Sequence, residues 1–132
     1  MTLPTVRIEF PFMPPEELRG NARNAHWAVR HRKTKELREA TAWRLLELGK
    51  LPRFKKAEIQ YTAYYCGKAI DPDGLVMGMK ACLDEMVQAQ VVPDDGPGYV
   101  SILTPVYHRV AHRDDVRLVV ELQEVADVLG RR

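Results

Sequence analysis

Apolar residues change their spacing along this chain, and each change marks an element. Val6, Ile8 and Phe10 alternate with polar neighbours, which predicts a strand over Val6–Phe10. Pro11, Pro14 and Pro15 end it, and Pro14–Asn24 reads as a loop. Helical spacing then runs from Trp27 to Leu48. Leu37, Ala40, Thr41, Leu45 and Leu48 share its apolar face, while Arg30, Lys35, Arg38 and Glu39 point outward. Gly49 stops this helix. Lys56–Tyr65 is rich in β-branched and aromatic residues and reads as a second strand. A second helix is expected over Asp73–Ala89, because Leu75, Met79, Cys82, Leu83 and Met86 follow the i, i+4, i+7, i+8, i+11 spacing of one buried face. Tyr99–His108 and Asp115–Glu121 read as two further strands, joined as a hairpin through Arg109–Asp114. The order is β-α-β-α-β-β. It predicts one α+β domain over residues 1–132, with a single mixed sheet and two packed helices.

Composition fits that expectation. At 132 residues and 45% apolar content, the chain is long enough for a proper core. No apolar run reaches the length of a membrane span, and the first residues lack a signal-peptide pattern. Cys66 and Cys82 are not spaced as metal ligands and read as reduced thiols of a cytosolic protein. His108 and His112 fall in a strand-to-turn region, and His26 and His31 have no partner at ligand spacing, which argues against zinc. Walker A, GxSxG and GxGxxG motifs are absent from the sequence.

Net charge is only +2, but it is unevenly spread. Between Arg19 and Arg38, seven basic residues stand against Glu36 alone. Arg23, Arg30, Arg32, Lys33 and Lys35 lie in this block, with His26 and His31 as further donors. Such a block suits contact with a polyanion. It also suits a merely solvated helix face.

The acids gather later. Asp71 and Asp73 precede the second helix, Lys80 and Asp84 lie on it, and Asp94 and Asp95 follow it. On a helix begun near Asp73, seven steps of about 100° bring Lys80 to roughly 20° from Asp73, and Asp84 falls on the same stripe. That stripe points away from the apolar face. Clustered carboxylates beside an amine suit Mg²⁺-dependent phosphodiester chemistry, since Mg²⁺ takes one or two carboxylates plus phosphate and water. The same residues also serve as a turn, with Asp73 as helix cap. An EF-hand is excluded, because Cys82 stands where its bidentate Glu would be.

Three stretches carry a resemblance. Asp71-Pro72-Asp73-Gly74-Leu75, Lys80-Ala81-Cys82-Leu83-Asp84 and Val91-Val92-Pro93-Asp94-Asp95 resemble the D-x-D-N-L, K-x-x-x-D and D-D pattern of the RusA-type endodeoxyribonucleases, common in prophages. Asn24-Ala25-His26-Trp27 and the basic residues after it are similar to that family's basic N-terminal helix. The likeness extends over about residues 5–122. Two departures stand out: Gly74 replaces the usual Asn, and Lys80 comes a few residues later than in the founding member.

The resemblance implies a Holliday-junction resolvase, a structure-selective endonuclease of DNA recombination and repair. Asp71, Asp73 and Asp95 would be the metal-binding acids, and Lys80 would act with them in catalysis. Asp84 and Asp94 would be supporting acids. Arg23, His26, Arg30, Arg32, Lys33 and Lys35 would contact DNA. The cofactor would be Mg²⁺, with Mn²⁺ able to replace it. The expected partners are branched DNA and a second copy of the chain, since a homodimer matches a near-two-fold junction. The setting would be a bacterial or phage-encoded cytoplasmic protein. The alternatives are a metal nuclease for other branched DNA, and a non-catalytic DNA-binding or regulatory protein with the same fold.

Overall fold

A computed structural model of the chain describes residues 4–20 and 26–125. In chain order it forms β1 (Thr5–Phe10), α1 (Trp27–Glu47), β2 (Ala57–Tyr65), α2 (Pro72–Gly78), α3 (Lys80–Gln88), β3 (Val100–Ile102), β4 (Val106–Arg109) and β5 (Arg117–Glu124). Short 3₁₀ turns lie at Glu16–Leu18 and Arg113–Asp115. The strands make one mixed sheet, as the α+β expectation required.

β2 is the central strand. It pairs antiparallel with β5 on one side, and parallel with β3 and then β4 on the other. β1 closes the far edge against β5. Period-two alternation buries Ala57, Ile59, Tyr61 and Ala63 of β2. Register extends that face across the sheet. Phe10 lies opposite Leu118, which lies opposite Ala63; Ile8, Val120 and Tyr61 form the next row. Leu37 and Leu45 of α1, together with Leu75, Met79, Cys82, Leu83 and Met86, complete the core. The opposite sheet face is polar: Tyr64 stacks on His108 at 5.0 Å, and the Arg117 guanidinium lies 3.8 Å from the Tyr64 ring centre.

Four expectations need correction. The helix over Asp73–Ala89 is two helices, with Met79 (φ −100°, ψ 10°) at the break. The five apolar positions stay buried across that break, so the packing survives the bend. The strand over Tyr99–His108 is likewise two, interrupted at Leu103–Pro105. Pro105 has no N–H to give the ladder, and the Gln60 side-chain amide donates to the Thr104 carbonyl at 2.7 Å. The expected hairpin does not form either: β4 and β5 flank β2 from opposite sides. Leu118, Val119 and Val120 form a continuous buried run, which suits an interior strand, whereas β4 is largely exposed and suits an edge. Leu48, placed on the apolar face of α1, is 47% exposed beyond the helix end.

The end of α3 aims the chain back toward the sheet. Gln90 has φ 65°, the Gln90 N–H donates to the Val87 carbonyl, and the Val91 N–H donates to the Met86 carbonyl. This is a Schellman cap with Gln at the position where Gly is usual. It sends Val91 and Val92 into the core and leaves Asp94 and Asp95 outside. Gln90→Gly should therefore raise stability by about 1 kcal/mol by relieving the left-handed strain. Chemical denaturation checks this, and a less stable variant would contradict it.

Candidate active site

The loop after β2 ends at Asp71, and local rules decide its conformation. Asp71 is the N-cap of α2, and its Oδ2 accepts from the Gly74 N–H at 3.0 Å. Pro72 follows in the first turn, where a missing N–H costs nothing. The cap is thus Asp71 and not Asp73. Gly74 matters here for space: a Cβ on it would stand 2.9 Å from Asp71 Oδ1. A side chain at 74 would press on the carboxylate that the Gly74 N–H holds.

Asp73 is free of that duty. It is exposed in the first turn of α2, and with Asp71, Gly20, Gly74 and Met77 it lines a pocket of about 240 Å³. A larger cleft, about 760 Å³, opens on its other side. Asp73 and Lys80 border that cleft, Val76 and Met77 line it from α2, and Ile102 to Pro105 line it from the broken edge strand. The interruption that splits the expected strand therefore forms one wall of the cleft.

Lys80 begins α3, one turn before Asp84. Its Nζ donates to Asp84 Oδ1 and to Asp95 Oδ2. The second bond spans fifteen residues and ties the loop after α3 to the α2–α3 break. Asp94 Oδ1 in turn accepts from the Asp95 N–H at 2.8 Å. Electrostatics follow from this geometry. The bond from Lys80, then its charge, holds the Asp95 carboxyl below the usual carboxylate range. Partial burial works against the Lys80 ammonium, but bonds from it to Asp84 and Asp95 outweigh burial and raise its pKa.

The candidate acids thus form two groups. Asp71 and Asp73 share the pocket, and Asp84 and Asp95 are held by Lys80, which borders the same cleft as Asp73. Among the described residues, no three His, Cys, Asp or Glu side chains stand together as a ready metal shell. Asp71, Asp73 and Asp95 are accordingly not assembled as one ligand set. What the pocket offers is hard oxygen donors. These suit a hydrated cation that keeps most of its own water, which is the habit of Mg²⁺. Neither cysteine competes as a nucleophile at this place: Cys82 is fully buried, which pushes its thiol up to about 12, and Cys66 sits at the end of β2 against the Ala111 carbonyl.

Two further residues escaped sequence reasoning. Met77 is an exposed wall of both hollows, and Tyr107, on the edge strand β4, has a buried hydroxyl without a hydrogen-bond partner. Neither belongs to a motif. Only the alternation along β4 would have put Tyr107 on the covered face.

The basic block is spread around the start of α1. Arg30, Arg32 and Lys35 are exposed, and Lys33 pairs with Glu36 at 3.8 Å. His26 acts as an acceptor, not a donor: its Nδ1 caps α1 by accepting from the Ala28 N–H at 3.1 Å. Trp27 stacks on His26 and is 73% exposed. Arg23 lies outside the described residues.

No protein-family model matches this chain, and no curated protein matches it. Among the described residues, no helix is long and apolar enough to cross a membrane.

The Lys80–Asp95 pair makes a pH prediction. Because the Asp95 pKa is lower folded than unfolded, its contribution to stability is present above the ordinary carboxylate range and is lost as pH falls through the depressed value. The Lys80 contribution, from a raised pKa, is present below the ordinary lysine value and is lost at more alkaline pH. Lys80→Met should return the Asp95 carboxyl toward its ordinary titration and weaken the acid limb that this pair causes. Carboxyl ¹³C NMR titration reads this directly; an unmoved Asp95 would mean that the pair does not form.

Proposed function

We propose that this protein is a Mg²⁺-dependent, structure-selective endodeoxyribonuclease of the RusA type, cutting phosphodiester bonds at four-way DNA junctions. The observation that carries the reading is the meeting of Asp71, Asp73 and Lys80 around adjoining hollows, with Asp95 drawn back to Lys80 from beyond α3. Residues from three separate motifs thereby gather on one side of the α2–α3 segment. A fold that used Asp71 only as a cap and Asp95 only as a loop residue would have no need to bring them there.

Asp71 and Asp73 would hold the hydrated ion, and Asp95 would support it once Lys80 turns to the substrate. When bound, the ion supplies charge neutralisation at the phosphate and an activated water. The chain's own part is positional. α2 presents Asp73 at the cleft mouth, and Lys80, kept protonated by its two acids, offers a cationic donor to a phosphate oxygen. Arg30, Arg32, Lys33 and Lys35 would grip the DNA backbone without reading bases. A homodimer would match the near-two-fold symmetry of the junction and bring two sites for paired cuts. The protein would work in the cytoplasm of a bacterium, from a host or phage gene.

One observation favours a second reading, a DNA-binding module without catalysis. Asp71 and Asp95 already have partners within the chain, a helix N–H and Lys80. That reading expects junction binding with no metal-dependent cutting.

Single Asp-to-Asn changes separate the two. Asn caps helices about as well as Asp, so Asp71→Asn should change stability little, as should Asp73→Asn at its exposed site. Each of Asp71→Asn, Asp73→Asn and Asp95→Asn should slow Mg²⁺-dependent cleavage of a synthetic four-way junction more than about 100-fold. Junction binding should persist or tighten as charge facing phosphate is removed. A folded Asp73→Asn protein that cuts at full rate would end the nuclease assignment of that residue.

The basic block gives a separate expectation. Replacing Arg30 and Lys33 with neutral residues should weaken binding to all DNA sequences alike. It should also shallow the salt dependence by up to about 0.9 for each phosphate the protein no longer neutralises. Binding measured against salt concentration tests it, with an unchanged slope as the contrary result.

A further inference from the structure

The sheet ends at β1, and the main-chain groups along that edge have few partners. Which groups these are follows from the alternation of the ladder. The Ile59 carbonyl accepts from the Leu103 N–H on the β3 side, so Glu58, Gln60, Thr62 and Tyr64 are the β2 residues whose main chain faces β5. Opposite them stand Gln123, Glu121, Val119 and Arg117. Leu118, Val120 and Leu122 are left to face β1, where they meet Phe10, Ile8 and Val6. The main-chain groups of Thr5, Arg7 and Glu9 therefore point out of the sheet. Arg44 agrees with this: its Nε reaches the Glu9 carbonyl from α1 at 2.6 Å. Among the described residues, no other group bonds to this edge.

An open edge is a template for another strand, and a bulge or a blocking charge is the usual guard. β1 runs unbroken against β5, and its two charges have opposite signs. Arg7 and Glu9 are both half-exposed on the polar face and pair at 3.5 Å. Lay a second β1 antiparallel to the first about a two-fold axis at Ile8. Arg7 then stands opposite Glu9 of the second copy, and Glu9 opposite its Arg7. These are the residues whose main chain points outward, so each opposed pair can exchange two hydrogen bonds. On the core face Ile8 meets Ile8, and Val6 meets Phe10. A slide of two residues would set Arg7 against Arg7 or Glu9 against Glu9, and like charges directly opposed are unfavourable. A slide of one residue would set apolar positions against polar ones. Arg44 leaves room for the second strand. A carbonyl oxygen has two lone pairs, and the Arg44 guanidinium lies 4.7 Å from the Phe10 ring centre, on the helix side of the edge.

We propose that a second copy of this chain binds along the β1 edge, antiparallel and centred on Ile8, joining the two sheets into one. The proposal takes from the nuclease reading only the need for a second copy, and names the face that meets it. The axis stands perpendicular to the joined sheet, so the helices of both copies lie on one side of it. The cleft bordered by Asp73 and Lys80 is walled by Ile102–Pro105 at the opposite edge, and stays open. Two clefts and two α1 helices thus address one substrate.

The test uses charge reversal. Sedimentation of the parent at micromolar concentration should give twice the chain mass of 15.1 kDa. Arg7→Glu and Glu9→Arg each set like charges against one another at both symmetric places, and each should weaken dimerisation at least about tenfold. Mixed in equal amounts, the two variants should dimerise with each other, because every pair opposed across the axis is again of opposite sign. Repair of a fault within one chain could not come from mixing. A monomeric parent would overturn the proposal. It would leave the nuclease reading standing if that protein cuts a four-way junction with Mg²⁺, and would remove both if it does not. Single variants that dimerise like the parent, or that stay apart when mixed, would also overturn it. A parent that passes every dimer test but cuts no junction would keep this interface and remove the nuclease reading.

Discussion

The constraint on which this structure depends is the burial of one face of β2. Four of its residues alternate into the core, and every other strand except β1 is hydrogen-bonded to it. Period two leaves no freedom: a slip by one residue would turn Ala57, Ile59, Tyr61 and Ala63 outward and Glu58, Gln60 and Tyr64 inward. Because β5 locks to β2 over eight residue pairs, that register passes on to β1 through the Leu118, Val120 and Leu122 positions. The helices then have one apolar surface to cover. α1 and α3 lie against each other above it, joined at the rim by the Arg38–Glu85 pair at 3.0 Å.

The candidate site is a consequence of how the chain leaves and re-enters this sheet. It leaves at the end of β2, caps a helix with Asp71, bends at Met79 and returns beside the start of β2. α2 and α3 are the crossover that parallel β2 and β3 require. The bend between them is where Lys80 stands. A straight helix would have carried Asp73, Lys80 and Asp84 along one stripe and left Asp95 to the loop. With the bend, Lys80 gathers Asp84 and Asp95, and Asp73 keeps a separate edge of the cleft. The exposure of all these groups limits what their pairing adds to stability, as for most surface ion pairs. Of these groups, Asp73 and Lys80 line the cleft, and Asp84 and Asp95 are held beside it by Lys80.

Packing also explains the small residues near the site. A Cβ on Gly78 would come 2.7 Å from Pro14 Cβ, so the segment carrying the Glu16–Leu18 turn can lie against α2 only because residue 78 has no side chain. Arg19 fastens the same segment to itself, donating to the Pro14 carbonyl at 2.8 Å. The pocket holding Asp71 and Asp73 is thereby closed on one side by Gly20.

The amino-acid pattern by itself determined the element types, the alternating core of β1 and β2, and the five buried positions of the second helical region. These follow from local periodicity, which any window of the chain carries. It also marked Asp71, Asp73, Lys80 and Asp95 as chemically notable, through residue type and spacing. Only the tertiary structure decided the rest. Whether β4 pairs with β5 or with β2 is a choice between distant partners, settled by which strand buries a continuous apolar run. The division of labour among the acids is equally non-local: Asp71 meets a helix N–H, Asp95 meets Lys80, and Asp73 meets neither. Tyr107 is the sharpest case. Its residue type carries no signal, and its place on the core face opposite Ala63, with a hydroxyl that has no partner, follows from strand register alone.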